Sequence, residues 1–172
     1  LKVVEDAAQG ILCTYENRPL GSYGHFAAFS FHDTKNITSG GEGGLLAIND
    51  ETFIERAKII REKGTNRSKF IEGAVDKYTW VDHGSSYLPS EIQAAYLWAQ
   101  LINSKKIIEN RLESWNYYDS KLKKIKKENL FYLPSIPSNC NHNGHMYYIR
   151  LHDEQQRKNF INCMSEKKIV TS

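Results

Sequence analysis

Several things are scarce or missing in these 172 residues, and each absence narrows the reading. No apolar run is long enough to cross a bilayer, and no secretory signal pattern opens the sequence. The three cysteines, Cys13, Cys140 and Cys163, are odd in number and far apart. That argues against a disulfide framework and leads us to expect a reducing compartment, the cytoplasm. Charge of one sign is not in excess: 23 basic residues against 20 acidic ones leave a formal +3. Nothing in that balance calls for a nucleic acid or an anionic membrane as partner. Internal repeats and low-complexity segments are absent. Cys140, His142 and His145 lack a fourth ligand and the usual finger spacing, so no metal is expected. The glycine cluster Gly40-Gly41-Glu42-Gly43-Gly44 lacks the Gly-Lys-Ser/Thr ending of a nucleotide-phosphate loop.

What is present is an ordinary globular composition, 40% hydrophobic and 25% charged, in a chain long enough to bury a core. One stretch organises the rest. Phe26-Ala27-Ala28-Phe29 leads into Ser30-Phe31-His32-Asp33-Thr34-Lys35-Asn36, then comes the glycine cluster, and Leu45 to Ile48 leads out. A lone lysine therefore sits in a polar turn between two apolar strands, where glycines let backbone approach a ligand. Upstream, Val3-Val4-Glu5-Asp6 reads as a strand ending in an acid. In open α/β sheets ligands bind beyond the carboxyl ends of the strands, so Asp6 and Lys35 are expected in one crevice. An acid able to face a pyridinium nitrogen, with an amine able to form a Schiff base, is the pair that pyridoxal phosphate (PLP) requires.

Along the chain, strands are expected at 1–5, 24–31 and 43–49, the last apolar enough for a sheet covered on both faces. Ala7 to Cys13 could form a helical turn, and Glu16 to Ser22 carries turn residues. Asn49 or Asp50 caps a helix to about Lys63, which Gly64 ends. Gly64 to Tyr87 is polar, aromatic and irregular, as substrate or subunit-contact loops are. Ser90 and Gln93 form a capping box for a long helix from Glu91 to about Lys127, interrupted near Asn103-Ser104. The basic run Lys121 to Lys127 reads as a solvated face suited to the helix dipole. Leu130 to Pro137 is extended, Met146 to His152 alternates as a strand, and Asp153 caps a last helix to about Lys167. Both ends read as cuts through a larger protein.

Glu5-Asp6-Ala7-Ala8-Gln9, Ser30-Phe31-His32-x-x-Lys35-Asn36 and Gly41-Glu42-Gly43-Gly44 occur in that order. Together with Arg61 to Arg67, Asp76 to Trp80, Gly84 to Leu88 and Gln93 to Leu101, they resemble the DegT/StrS-type nucleotide-sugar aminotransferases. The resemblance is dense from Val4 to Leu101 and thinner beyond.

It implies an α/β chain with PLP fold type I: residues 1–101 as part of the large cofactor domain, with a mostly parallel sheet, and 102–172 as an interdomain helix and the start of a small α+β domain. It implies PLP as cofactor, with Lys35 as its covalent anchor and proton carrier and Asp6 on the ring nitrogen. Gln9 would meet the ring or its phenolic oxygen, and Ser30 the phosphate. Lys35 is present where related sugar dehydratases carry histidine, which favours transamination over dehydration. Ser86 stands where many members carry asparagine, so it is not counted among the site residues. The implied partners are a dTDP-linked 4-keto-6-deoxy sugar, L-glutamate as amino donor, and a second copy in a homodimer. Two alternatives stay open: transamination of another nucleotide keto-sugar, and a PLP-fold piece that serves only binding or assembly.

Overall fold

The computed structural model describes residues 1–125 and 130–171. Its main sheet has three strands in the order β1 (Val4–Asp6), β4 (Phe26–Ser30) and β5 (Gly44–Ile48). β1 runs parallel to β4, with Val4 opposite Phe26 and Asp6 opposite Ala28. β4 and β5 are antiparallel, Phe26 facing Ile48 and Ser30 facing Gly44. Within this chain the sheet is therefore mixed, one parallel pair and one antiparallel pair. β4 lies in the middle because it alone is hydrogen-bonded on both edges, and its Ala27 is wholly buried. β5 differs from expectation. Leu45 and Leu46 point to opposite faces and both are exposed, so the described residues cover neither side of that strand.

A second small sheet joins distant parts of the chain. β2 (Thr14–Tyr15) and β3 (Arg18–Pro19) form a hairpin, and β6 (Cys140–Asn141) pairs with the other edge of β2. The hairpin loop is Glu16-Asn17, both at positive φ, which is the two-residue turn that follows strand twist. Ala7 to Cys13 is not helical. The Gly10 N–H reaches the Ala7 carbonyl and the Cys13 N–H the Gly10 carbonyl, so two tight turns follow one another.

The helices begin where the capping residues predict. Asp50 accepts from the Thr52 N–H and opens a 3₁₀ turn, Glu51–Phe53, that runs into α1 (Ile54–Arg61). α2 (Arg67–Ile71) is a short helix inside the 64–87 stretch, which is also pinned by bridges from Glu62 to Ser86 and from Thr65 to Trp80. α3 (Glu91–Ile102) carries the full capping box of Ser90 and Gln93. Asn103 separates it from α4 (Ser104–Ile125). The expected continuation over Lys126 and Lys127 lies outside the described residues. α5 (Glu154–Glu166) is capped by Asp153, which accepts from the Gln156 N–H.

Met146 to His152 is extended, and among the described residues its strand pairing is one bridge, where Tyr132 and Arg150 exchange both backbone bonds. Its first residues meet Trp115 of α4, whose indole N–H donates to the Met146 carbonyl while the His142 and Tyr147 rings stand edge-on against it. The buried apolar residues form two small groups, Ala7, Ala27, Phe31 and Ile37 at the strand ends and Ile108 with Trp115 on α4.

Candidate active site

The turn that carries Lys35 is held by apolar burial and by closure. Phe31 and Ile37 bracket the lysine and are almost wholly buried. Each such side chain contributes about 1.5–3 kcal/mol by leaving water. The Phe31 N–H donates to the Gly43 carbonyl, and the Ser39 N–H and hydroxyl both donate to the Phe31 carbonyl. Ser39 also reaches the Glu42 carbonyl, which ties the loop into a ring. Gly43 is required by that ring, because a Cβ there would lie 2.3 Å from the Ser39 hydroxyl. His32 is taken up by the same turn through Asp33 and Thr34.

Lys35 is half-buried and makes no ion pair among the described residues. Asp6 ends β1 on the adjacent strand, in register with Ala28 and so two positions before Ser30. Its carboxylate is exposed and accepts from the Ala8 N–H of its own turn. Ser30 ends β4, and its hydroxyl accepts from the His32 N–H at 3.3 Å. Gln9 is exposed in the turn after β1. Asp6, Ser30 and Lys35 thus leave the sheet through the carboxyl ends of neighbouring parallel strands, with Gln9 beside them.

Three residues to which the sequence reading gave no role in this site hold it together. The buried Asn36, next to Lys35, donates from its amide to the Asn143 carbonyl at 2.9 Å. The buried Asn143 donates to the carbonyls of Gln9 and Ile11 at 2.8 and 2.9 Å, and its own oxygen accepts from the His145 N–H. His145 Nδ1 meets Asn36 Oδ1 at 2.9 Å. The Asn36 amide group is committed as donor, so its oxygen is the acceptor and His145 Nδ1 carries the hydrogen. The turn after β1, the lysine turn and the 143–145 segment are thereby clamped across more than a hundred residues of sequence. Burial, with the nearby charges of Lys35 and Arg111, holds the His145 imidazole below its ordinary pKa, and burial alone lowers that of His142.

Glu5 anchors β1 from its other side. Burial would push its carboxyl up, but N–H bonds from Gly24, Gly21 and Tyr23, with the charge of Arg18, hold it below the ordinary range. Nothing in the sequence marks Glu5 for this role except its place before Asp6.

The residues present have the donor set that PLP needs: a carboxylate, an amine and a hydroxyl at the ends of adjacent strands. The chain matches the DegT/DnrJ/EryC1/StrS aminotransferase family over residues 1–172 and belongs to it. It is 31% identical over 151 residues to a GDP-perosamine synthase of Caulobacter vibrioides, covering 88% of this chain and 38% of that one. It is 29% identical over 171 residues to a UDP-4-amino-4,6-dideoxy-N-acetyl-beta-L-altrosamine transaminase of Helicobacter pylori, covering 99% and 41%. The fold superposes on a Streptococcus pneumoniae protein solved in PLP and PMP forms. For the PLP form the TM-score is 0.83 at 21% identity, covering 98% of this chain and 42% of that one. The architecture is PLP fold type I, and this chain spans about two fifths of the length of such relatives.

Proposed function

We propose that the protein to which these residues belong is a PLP-dependent aminotransferase of nucleotide-linked keto-sugars. The observation that carries the reading is the convergence of Asp6, Ser30 and Lys35 at the ends of parallel strands in a chain of this family. When bound there, PLP supplies the electron sink for moving an amino group. Lys35 would anchor it covalently, and its amine would carry a proton to and from the reacting carbon. Asp6 would hold the ring nitrogen protonated, Gln9 would meet the ring or its phenolic oxygen, and the Ser30 hydroxyl would donate to the phosphate. The clamp through Asn36 and Asn143 keeps the lysine turn and the Gln9 turn at fixed separation, which the chemistry needs to within a fraction of an ångström.

At finer grain, the motif set from Val4 to Leu101 favours dTDP-4-keto-6-deoxy-D-glucose as acceptor and L-glutamate as donor, giving dTDP-4-amino-4,6-dideoxy-D-galactose. That is the transaminase reaction of enterobacterial common antigen synthesis, a branch of lipopolysaccharide-type sugar supply. Residues 1–101 belong to the cofactor domain and 102–172 to the interdomain helix and small domain, a division supported by the helix break at Asn103. A homodimer is proposed, with 64–87 at the contact, since Trp80 and Tyr87 stand exposed there. Assaying the full-length enzyme against a panel of nucleotide keto-sugars tests the substrate. Turnover of a GDP- or UDP-linked sugar in preference to the dTDP-linked one would replace it.

A further inference from the structure

A cleft of about 600 Å³ lies between α4 and the segment 144–147. One stripe of α4 forms its floor, from Lys106 through Arg111 and Trp115 to Tyr118, and His145 and Tyr147 form the opposite wall. Gly144 lets the two approach. It has a φ of +63°, and a Cβ there would meet the Arg111 backbone at 3.0 Å. The cleft adjoins the lysine turn, because His145 lines it and is bonded to Asn36.

Its charge is one-sided. Among the described residues no carboxylate lines the cleft, and neither Lys106 nor Arg111 is in an ion pair; Asp119, which accepts from the Tyr147 hydroxyl, is paired with Lys123. Their neighbour Lys105, by contrast, lies 4.0 Å from Glu109. The first turn of α4 holds two lysines and no acid, at the helix end where the backbone dipole is already positive. His145 adds a polar group here: Nδ1 is committed to Asn36, which leaves Nε2 without a partner among the described residues. Lys106 at the positive helix end and Arg111 further along the same helix, beside a floor of aromatic rings, fit an anion with an organic body.

We propose that this cleft is an anion subsite, in which Lys106 and Arg111 hold the carboxylate or phosphate oxygens of a substrate whose body lies against Trp115, Tyr118 and Tyr147. It deepens the aminotransferase reading and rests on it for the choice of ligands: the dicarboxylate of the amino donor, or the diphosphate of the sugar nucleotide.

The test is titration of the full-length holoenzyme with 2-oxoglutarate and, separately, with thymidine diphosphate. Arg111→Gln should weaken one of them roughly tenfold or more, and Lys106→Gln several-fold, since each removes one charge at short range. Lys121→Gln, on the same helix but outside the cleft, should stay within about twofold. A loss confined to 2-oxoglutarate assigns the donor carboxylates, and a loss confined to thymidine diphosphate assigns the nucleotide. Wild-type affinity for both ligands in both variants overturns the proposal, as does a wild-type enzyme that binds neither. Should Arg111→Gln fail to fold, Lys106→Glu, at an exposed position, carries the same test with a larger expected loss. Cofactor fixed on Lys35 with unchanged affinities defeats the subsite alone. Cofactor on another lysine, with affinity still lost in Arg111→Gln, defeats the reading of Lys35 and leaves the subsite standing.

Discussion

The lysine loop and helix α3 sit in the same molecule under opposite conditions. The loop from Phe31 to Gly43 closes on itself, buries Phe31, Asn36, Ile37 and Ser39, and receives its long-range bonds from within the chain. α3 is apolar nearly all round, yet none of its residues is buried, and Ile92, Trp98 and Ile102 are exposed. A helix hydrophobic on every side belongs in an interior. The contrast shows which parts of the site these residues complete by themselves and which depend on surfaces outside them. The lysine turn is finished here, whereas the surroundings of α3 and of β5 are not.

The largest effect should come from breaking the loop's chemistry. Lys35→Ala in the full-length enzyme should lower the amino-transfer rate roughly a thousandfold or more, since both anchor and proton carrier are lost. Its denaturation midpoint should hardly move, because Lys35 fills no core volume. Breaking the loop's architecture comes next. Gly43→Ala forces the Ser39 hydroxyl aside and should cost about 2–3 kcal/mol, read as a lower denaturant midpoint at unchanged slope. Asn143→Ala strips the bonds to the Gln9 and Ile11 carbonyls and should cost about 1–3 kcal/mol. Unlike Gly43→Ala, it should also loosen cofactor binding, because it frees the Gln9 turn from the lysine turn.

The clamp also gives a pH dependence. In the folded chain His145 titrates below its ordinary value of 6.5, so the unfolded chain binds the extra proton first as pH falls. The neutral imidazole's contribution is complete above 6.5 and declines as pH drops from there toward the folded value. His142 acts in the same direction. Equilibrium unfolding of the full-length protein between pH 7.5 and 5.5 should show this loss, and His145→Gln should flatten it. The smallest expected effect sharpens the other side of the comparison. Trp80→Ser, at a position exposed here, should leave stability within about 0.5 kcal/mol while shifting sedimentation toward monomer. An unchanged dimer would remove Trp80 from the contact.

How far the sequence could be read follows the same division. The place of Lys35 was legible because two apolar strands flank a polar turn, and that of Asp6 because a strand ends on an acid; both signals are local and periodic. The helix starts at Asp50, Ser90 and Asp153 were legible for the same reason, since capping is chemistry within a few residues. Asn36, Asn143 and His145 were not, because their bonds cross 107 to 134 residues and leave no periodic trace. The alternation of Met146 to His152 suits a strand, but the segment pairs among the described residues only at Arg150, and Met146 and Tyr147 pack against Trp115 instead. The turns from Ala7 to Cys13 were hidden because small apolar residues suit a helix equally well. Gly144 carried a signal that a glycine beside a histidine in a polar loop only hints at: close approach to a helix backbone.

The central claim is that Lys35 carries the cofactor, and one measurement addresses it without depending on the substrate. Full-length holoprotein is reduced with borohydride, digested, and its peptides are weighed. The account predicts loss of the visible cofactor absorbance and a pyridoxyl-phosphate mass on the peptide containing Lys35. The same mass on a peptide bearing any other lysine, with the Lys35 peptide unmodified, would contradict it.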